Sequence, residues 1–195
     1  MTVAQLFEGN QAFRENDLAP NREFYKALAM GQKPAVLWIG CSDSRITPER
    51  ITSAKAGELF VHRNIGNVVS SLDMNAGTVL EYAINHLKVN YIVVCGHSDC
   101  GACKALDANL EHDHMIPLWL TNAMPAKIRV DATLAPATSD IEKANRLVAI
   151  IKENVRLQLE HLRQFPLVRE AEADGRIRLH GLFFDIGSGE LTTVD

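Results

Sequence analysis

The chain has 195 residues, 47% hydrophobic and 23% charged, with a formal net charge of −4. That length supports one domain with a proper core, and the acidic balance excludes nucleic acid as a partner, because phosphate binding needs concentrated Lys and Arg. The longest apolar runs are strand-sized, so none is expected to cross a membrane, and Met1–Gln5 leads into a helical pattern without the features of a leader. Four cysteines in a chain of this size do not resemble a disulfide framework, so a soluble cytoplasmic protein with reduced thiols is expected.

In chain order, Val3 to about Glu15 and Arg22 to Met30 show helical spacing of apolar residues (Leu6, Phe13; Phe24, Leu28), with Gly31 as a stop signal. Pro34 opens a buried strand over Ala35–Ile39. Thr47-Pro48-Glu49 reads as a helix start, with Thr47 as cap and Pro48 in the first turn. A second strand is predicted over Leu59–His62, a helix over Asn75–Leu87 and a third strand over Tyr91–Cys95. The chain turns helical again after Gly101, and His112–Pro117 is a polar loop. Asp140 to about Leu162 is the longest helical pattern, with Ile141, Ala144, Leu147, Val148, Ile151, Val155, Leu159 and Leu162 along one stripe. Ile177–Ile186 alternates as a strand, turns at Gly187-Ser-Gly189 and returns over Leu191–Val194. Strands separated by helices predict an α/β fold: a mainly parallel central sheet flanked by helices, with an antiparallel C-terminal edge hairpin. The whole chain, 1–195, reads as one domain, with N-terminal helices over 1–31 and the α/β core over 32–195.

Two short stretches carry the chemistry. Cys41-Ser-Asp43-Ser-Arg45 and His97-Ser-Asp-Cys100 each follow an apolar strand by a residue or two. In such sheets ligands gather beyond the carboxyl ends of the strands. If the two strands are neighbours, two thiolates and an imidazole converge there, a donor set suited to Zn²⁺ with a fourth position open for water or substrate. Cys95, inside a strand, reads as a small core residue. Cys103 completes a C-x-x-C with Cys100, which is a redox pair, a pair of metal ligands or, as preferred here, a metal ligand beside a helix-facing structural thiol.

At these residues the chain resembles the β-class carbonic anhydrases, whose hallmarks are C-S-D-S-R and H-S-x-C-G at roughly this separation. Phe60-Val-His-Arg63-Asn64-Ile-Gly-Asn67 resembles the family's F-V-x-R-N-x-x-N segment, and His180-Gly181-Leu-Phe-Phe184-Asp185 its H-G-x-x-Y-D strand. The likeness runs from about Gln32 to Leu191. It implies one Zn²⁺ per subunit held by Cys41, His97 and Cys100, with Asp43 either a fourth ligand or paired with Arg45. It implies reversible hydration of CO₂ to bicarbonate and a proton, with a zinc-activated water as nucleophile and the Asp43–Arg45 dyad orienting it or gating the metal. It places Gln32, Phe60, Ile65, Tyr82 and the Gly101 amide around the CO₂ pocket, and implies a homodimer or dimer of dimers.

The chain departs from the family at Ala102, where a second glycine is common, and at Phe184. Some members carry a regulatory bicarbonate site built from Trp, Arg and Tyr; Trp38 and Arg63 match two of these positions, but Phe184 lacks the hydroxyl of the third, so bicarbonate inhibition there is not expected. A CS₂ or COS hydrolase, or an inactive regulatory relative, would share the same metal residues. A phosphatase cradle is disfavoured because Cys41 and Arg45 are too close and Asp43 would repel phosphate. A redox protein built on Cys100 and Cys103 would leave Cys41, Asp43 and His97 unexplained. His62, His86, His112, His114, His161 and His180 are read as structural or solvated, and Asn64 and Asn67 as fixing the turn after the second strand through side-chain bonds to backbone.

Overall fold

β-Branched and aromatic residues bounded by glycine and proline build the sheet. A computed structural model describes residues 1–194. Among these residues, β1 (Val36–Cys41), β2 (Leu59–Asn64), β3 (Tyr91–His97), β4 (Arg178–Phe184) and β5 (Leu191–Thr193) form a single sheet in the order β2-β1-β3-β4-β5. The first four strands pair in parallel, and β5 returns antiparallel to β4. The α/β reading and its antiparallel C-terminal edge are both present.

Strands β1 and β3 run two residues further than their apolar runs suggested. Gly40 and Gly96, just past those runs, both lie inside the ladder, where Gly40 pairs with Cys95 and Gly96 with Phe183. A Cβ on Gly96 would sit 2.9 Å from Cγ2 of both Ile151 and Val155. The glycine is therefore the place where a helix presses onto the strand, not its end. β2 likewise continues to Asn64, because Arg63 and Asn64 pair with Gly40 and Cys41.

The helix in question is α8 (Asp140–Leu162), opened by a capping box between Ser139 and Glu142. Before it come α3 (Pro48–Thr52), α4 (Met74–Glu81), α5 (Gly101–Ala105), α6 (Ile116–Leu120) and α7 (Met124–Asp131), and after it α9 (Pro166–Ala173). Thr47 takes the cap position of α3 without a side-chain bond. The polar loop expected to reach Pro117 ends sooner, since Pro117 lies in the first turn of α6. The helix expected over Asn75–Leu87 splits into α4 and a π-helical turn, Tyr82–Leu87, closed by Lys88 in the left-handed region. On α8, Ile141 at the start of the predicted stripe is exposed, and Asn154 and Gln158 are buried instead.

Alternation along the strands separates two apolar clusters. Leu37, Ile39, Ile92 and Val94 join Leu80, Ile84, Ile150, Ile151, Val155 and Leu162 in the main core, while Trp38, Val93, Cys95 and Phe184 pack with Ile46 in a smaller one. Gly181 is a second tight point: an added Cβ would lie 2.9 Å from Val155 Cγ1 and 2.9 Å from the Val194 carbonyl oxygen. Backbone cannot give way as a side chain can. Gly181→Ala is expected to cost about 1–3 kcal/mol in denaturant unfolding; an unchanged midpoint would contradict this packing.

Arg146 on α8 ties its own helix to two loop-proximal carboxylates, donating to Asp107 at 2.6 Å and to Asp131 at 2.7 Å. Arg146, helped by Lys127, depresses the Asp131 carboxyl to about 2. A depressed carboxylate contributes stability that is present above the ordinary Asp range and is lost as pH falls toward about 2. Arg146→Gln should therefore lower the melting temperature at neutral pH and flatten its decline between pH 4 and 2, measured by thermal scans.

The chain divides into two compact units, Met1–Lys33 and Pro34–Asp195. In the first, α1 (Val3–Phe13) starts with a Thr2–Gln5 capping box, passes through a π-helical turn over Arg14–Leu18 and is followed by α2 (Arg22–Ala29). Phe13 and Tyr25 meet edge to face at 5.4 Å. Among the described residues no helix is long and apolar enough to cross a membrane.

Candidate metal centre

Parallel pairing puts the ends of β1 and β3 side by side, so Cys41 and His97, the last residues of those strands, share one edge of the sheet. Two residues later Asp99 adopts a left-handed conformation (φ 60°) that turns the chain into α5, with Cys100 as its N-terminal flanking residue. One ligand atom from each of Cys41, His97 and Cys100 lies within 4.8 Å of the others, and all three residues are buried.

The local bonding prepares these atoms to bind a cation. His97 Nδ1 is 2.9 Å from the Ser98 carbonyl oxygen, which can only accept, so Nδ1 carries the proton and Nε2 presents its lone pair. Nε2 is buried and has no hydrogen-bond partner among the described residues. Ser98 is pinned in turn, its N–H donating to Phe184 O and its hydroxyl accepting from the Ile186 N–H. The neighbouring Cys100 and burial push the Cys41 thiol up to about 12, and Cys103 and burial do the same to Cys100, also to about 12. Two thiols that resist ionising, facing an unpartnered imidazole nitrogen, are reconciled by a divalent ion that replaces both protons. The set of two sulfurs and one nitrogen fits Zn²⁺.

Asp43 sits in the loop after β1, its Oδ2 3.9 Å from His97 Nε2. Arg45 grips it with a fork, Nε donating to Oδ1 at 2.9 Å and Nη2 to Oδ2 at 2.7 Å, while the Arg45 backbone N–H also donates to Oδ1. Those bonds hold the carboxyl well below the usual carboxylate range, so Asp43 is ionised at any physiological pH. Arg63 secures the same loop, donating from Nε to the Cys41 carbonyl (2.8 Å) and from Nη2 to the Asp43 carbonyl (2.6 Å).

The segment after β2 is held from below. Asn64 donates to Val68 O and accepts from Val68 N–H, as expected of a turn-fixing side chain. Asn67 does not act this way: it is left-handed (φ 49°), and its buried Nδ2 has no partner among the described residues. Its place reflects tolerance of positive φ. On α8, Gln158 accepts from the Val69 N–H at 2.8 Å and donates to Asn154, which donates to Gly66 O. His161 Nδ1 lies 2.9 Å from Val69 O, a structural role.

The residues expected around the substrate fall in separate places. Phe60 and Tyr82 are ring neighbours at 5.9 Å, with His86 stacked on Tyr82 at 5.3 Å. Ile65 is half exposed and, with Ser42, Asn64, Met115, Ile116, Leu118 and Trp119, lines a largely apolar cavity of about 520 Å³. Trp119 donates from Nε1 to Ile65 O, a contact that no sequence pattern marked. Gly101 opens α5 with free space where a side chain would point. Gln32 belongs to the N-terminal unit. Trp38, Cys95 and Phe184 are packed together in the smaller cluster, and Cys103 is buried in the main core, outside the metal-ligand group. Among the described residues every cysteine is free, so Cys100 and Cys103 form no disulfide.

The carbonic anhydrase family matches residues 36–191. The chain is 39% identical to a carbonic anhydrase of Pseudomonas aeruginosa over 198 aligned positions, covering 99% of this chain and 88% of that protein. It is similar to one of two tetrameric β-carbonic anhydrases of the ascomycete Sordaria macrospora (36% identity, TM-score 0.89, 98% of this chain and 95% of that one). It also resembles a Coccomyxa β-carbonic anhydrase solved in complex with acetazolamide (32% identity, TM-score 0.89, 99% and 86%).

Proposed function

The chain belongs to the β-class carbonic anhydrases, enzymes of reversible CO₂ hydration, and on that premise we propose that Cys41, His97 and Cys100 hold one Zn²⁺ beside an Asp43–Arg45 dyad. When bound, zinc supplies a Lewis acid that lowers the pKa of a water toward neutrality. Asp43 would accept a hydrogen bond through a carboxylate oxygen from the attacking hydroxide, the water's proton having gone to solvent, and would aim its lone pair at the carbon of CO₂. Arg45 keeps that carboxylate charged and fixes its plane through the two-point fork. Held this way, Asp43 is an orienting acceptor; released by Arg45, it would be free to act as a fourth ligand and gate the metal.

CO₂ is small and apolar, so apolar walls suit its pocket better than charged groups would; Phe60 adjoins Tyr82 while Ile65 lines another cavity of the same chain, so one pocket made of all three needs a second copy of the chain. The Gly101 amide is assigned to an oxygen of bicarbonate. A homo-oligomer, dimer or dimer of dimers, is consistent with the tetrameric state named for the Sordaria relatives. Free cysteines support a reducing, cytoplasmic setting.

The observation that carries this reading is the approach of three ligand atoms to within 4.8 Å, with Asp43 Oδ2 3.9 Å from one of them. Metal analysis joined to stopped-flow assays with CO₂, CS₂ and COS tests it. About one zinc per chain and fast hydration of CO₂ are expected. Hydrolysis of CS₂ or COS without CO₂ hydration, or no turnover of any of the three, would replace this reading with a hydrolase or a regulatory relative.

A further inference from the structure

The fork that Arg45 offers Asp43 uses only part of its guanidinium. The remaining edge points at the other motif. Nη1 donates to Asp99 Oδ2 at 3.0 Å, and Nη2 donates also to the Asp99 carbonyl oxygen at 3.2 Å. The second carboxylate oxygen of Asp99 is paired with Lys104 of α5. Asp43, Arg45, Asp99 and Lys104 thus form one chain of bonds running from the loop after β1 to the last turn of α5. It joins segments 54 positions apart.

The backbone adds an independent observation. Asp99 is left-handed, at φ 60°. Glycine adopts that conformation without steric cost, and a side chain there needs some other return. The side chains of Asp99 and Lys104 are each 51% exposed and that of Arg45 is 44% exposed, so bulk ion pairing in water gives little. What the carboxylate supplies is direction: it fixes the guanidinium plane from the side opposite Asp43.

We propose that Asp99 is a positioning residue for the reaction, holding Arg45 in the orientation from which it aims Asp43, with Lys104 steadying Asp99 in turn. This inference rests on the role given above to the Asp43–Arg45 dyad. It assigns a function to the variable position of H-S-x-C.

Asp99→Gly is the appropriate variant, because glycine suits the backbone and only the carboxylate is lost. The measurements are kcat and KM for CO₂ hydration on zinc-loaded Asp99→Gly, Arg45→Ala, the double variant and Asp43→Asn, with melting temperature, zinc content and the Arg45 side-chain ¹⁵N–¹H NMR signal. Asp99→Gly should keep its fold and zinc, lose about tenfold in kcat and kcat/KM together, and broaden or shift the Arg45 Nε–H signal. It should cause no further loss in the Arg45→Ala background, and Asp99→Asn, which keeps an acceptor oxygen, should recover part of the rate.

Wild-type kcat and an unmoved Arg45 signal in Asp99→Gly, with Arg45→Ala and Asp43→Asn impaired, would overturn the positioning role and leave the dyad standing. An equal tenfold loss in both backgrounds would overturn it too, by showing that Asp99 acts without Arg45. Full activity in Arg45→Ala and Asp43→Asn would remove the dyad reading itself.

Discussion

Replacing any one of Cys41, His97 or Cys100 with alanine will leave a folded protein whose CO₂ hydration is lower by on the order of 10³-fold or more and whose zinc content falls below one per chain. The structure offers three donor atoms within 4.8 Å, and each comes from a buried side chain that no solvent ligand easily replaces. Losing one leaves two donors and a hole beside a polar atom. The fold should survive, because the bulk of the main core, around Leu37, Leu80, Ile92, Ile150, Val155 and Leu162, packs without His97 and needs only small adjustments at the cysteines. Metal analysis, circular dichroism and stopped-flow assay on the three variants check this. A variant with full zinc and a rate within tenfold of wild type would show that its side chain is not a ligand.

Asp43→Asn will have the next largest effect, a fall of about 10²–10⁴-fold in kcat/KM at unchanged zinc content. The substitution is nearly isosteric, so the loop keeps its shape through Arg63, whose bonds go to the carbonyls of Cys41 and Asp43 and not to the carboxylate. What is lost is the charge that Arg45 holds well below the ordinary carboxylate range, and with it one acceptor oxygen. Because Asp43 stays ionised far into the acid range, loss of wild-type activity on mild acidification should not reflect protonation of this group. A near-wild-type rate for Asp43→Asn would remove Asp43 from the chemistry and leave it a purely structural partner of Arg45.

How far the sequence revealed these features depends on which forces set each one. The sheet was legible because Ala35–Ile39 and Tyr91–Cys95 are short apolar runs, and the long helix because its apolar residues recur along one stripe. The strand ends were not. The apolar runs break off at Gly40 and Gly96, and only the closeness of α8 to Gly96 shows that a glycine was required inside the ladder. On α8 itself, Asn154 and Gln158 look like solvated polar residues, yet they are buried to satisfy the backbone of Gly66 and Val69, which are distant in sequence. Such bonds leave no periodic trace.

The site followed the same pattern. The ligand candidates stood out because sulfur and imidazole at the ends of neighbouring strands have few other uses. Resemblance to a family suggested Phe60, Ile65 and Tyr82, whereas Trp119, Asp99 and Lys104 were silent, each engaged through a contact that only the folded chain creates. Asn67 was misread as a hydrogen-bonding residue because tolerance of positive φ and side-chain capping favour the same residue type.

X-ray absorption at the zinc edge of the metal-loaded protein addresses the ligand set most directly. Two sulfur scatterers at about 2.3 Å and one imidazole nitrogen at about 2.0–2.1 Å, with one sulfur lost in Cys41→Ala, is the predicted result. A shell without sulfur, or one that Cys41→Ala leaves intact, would contradict a shared ion held by Cys41, His97 and Cys100.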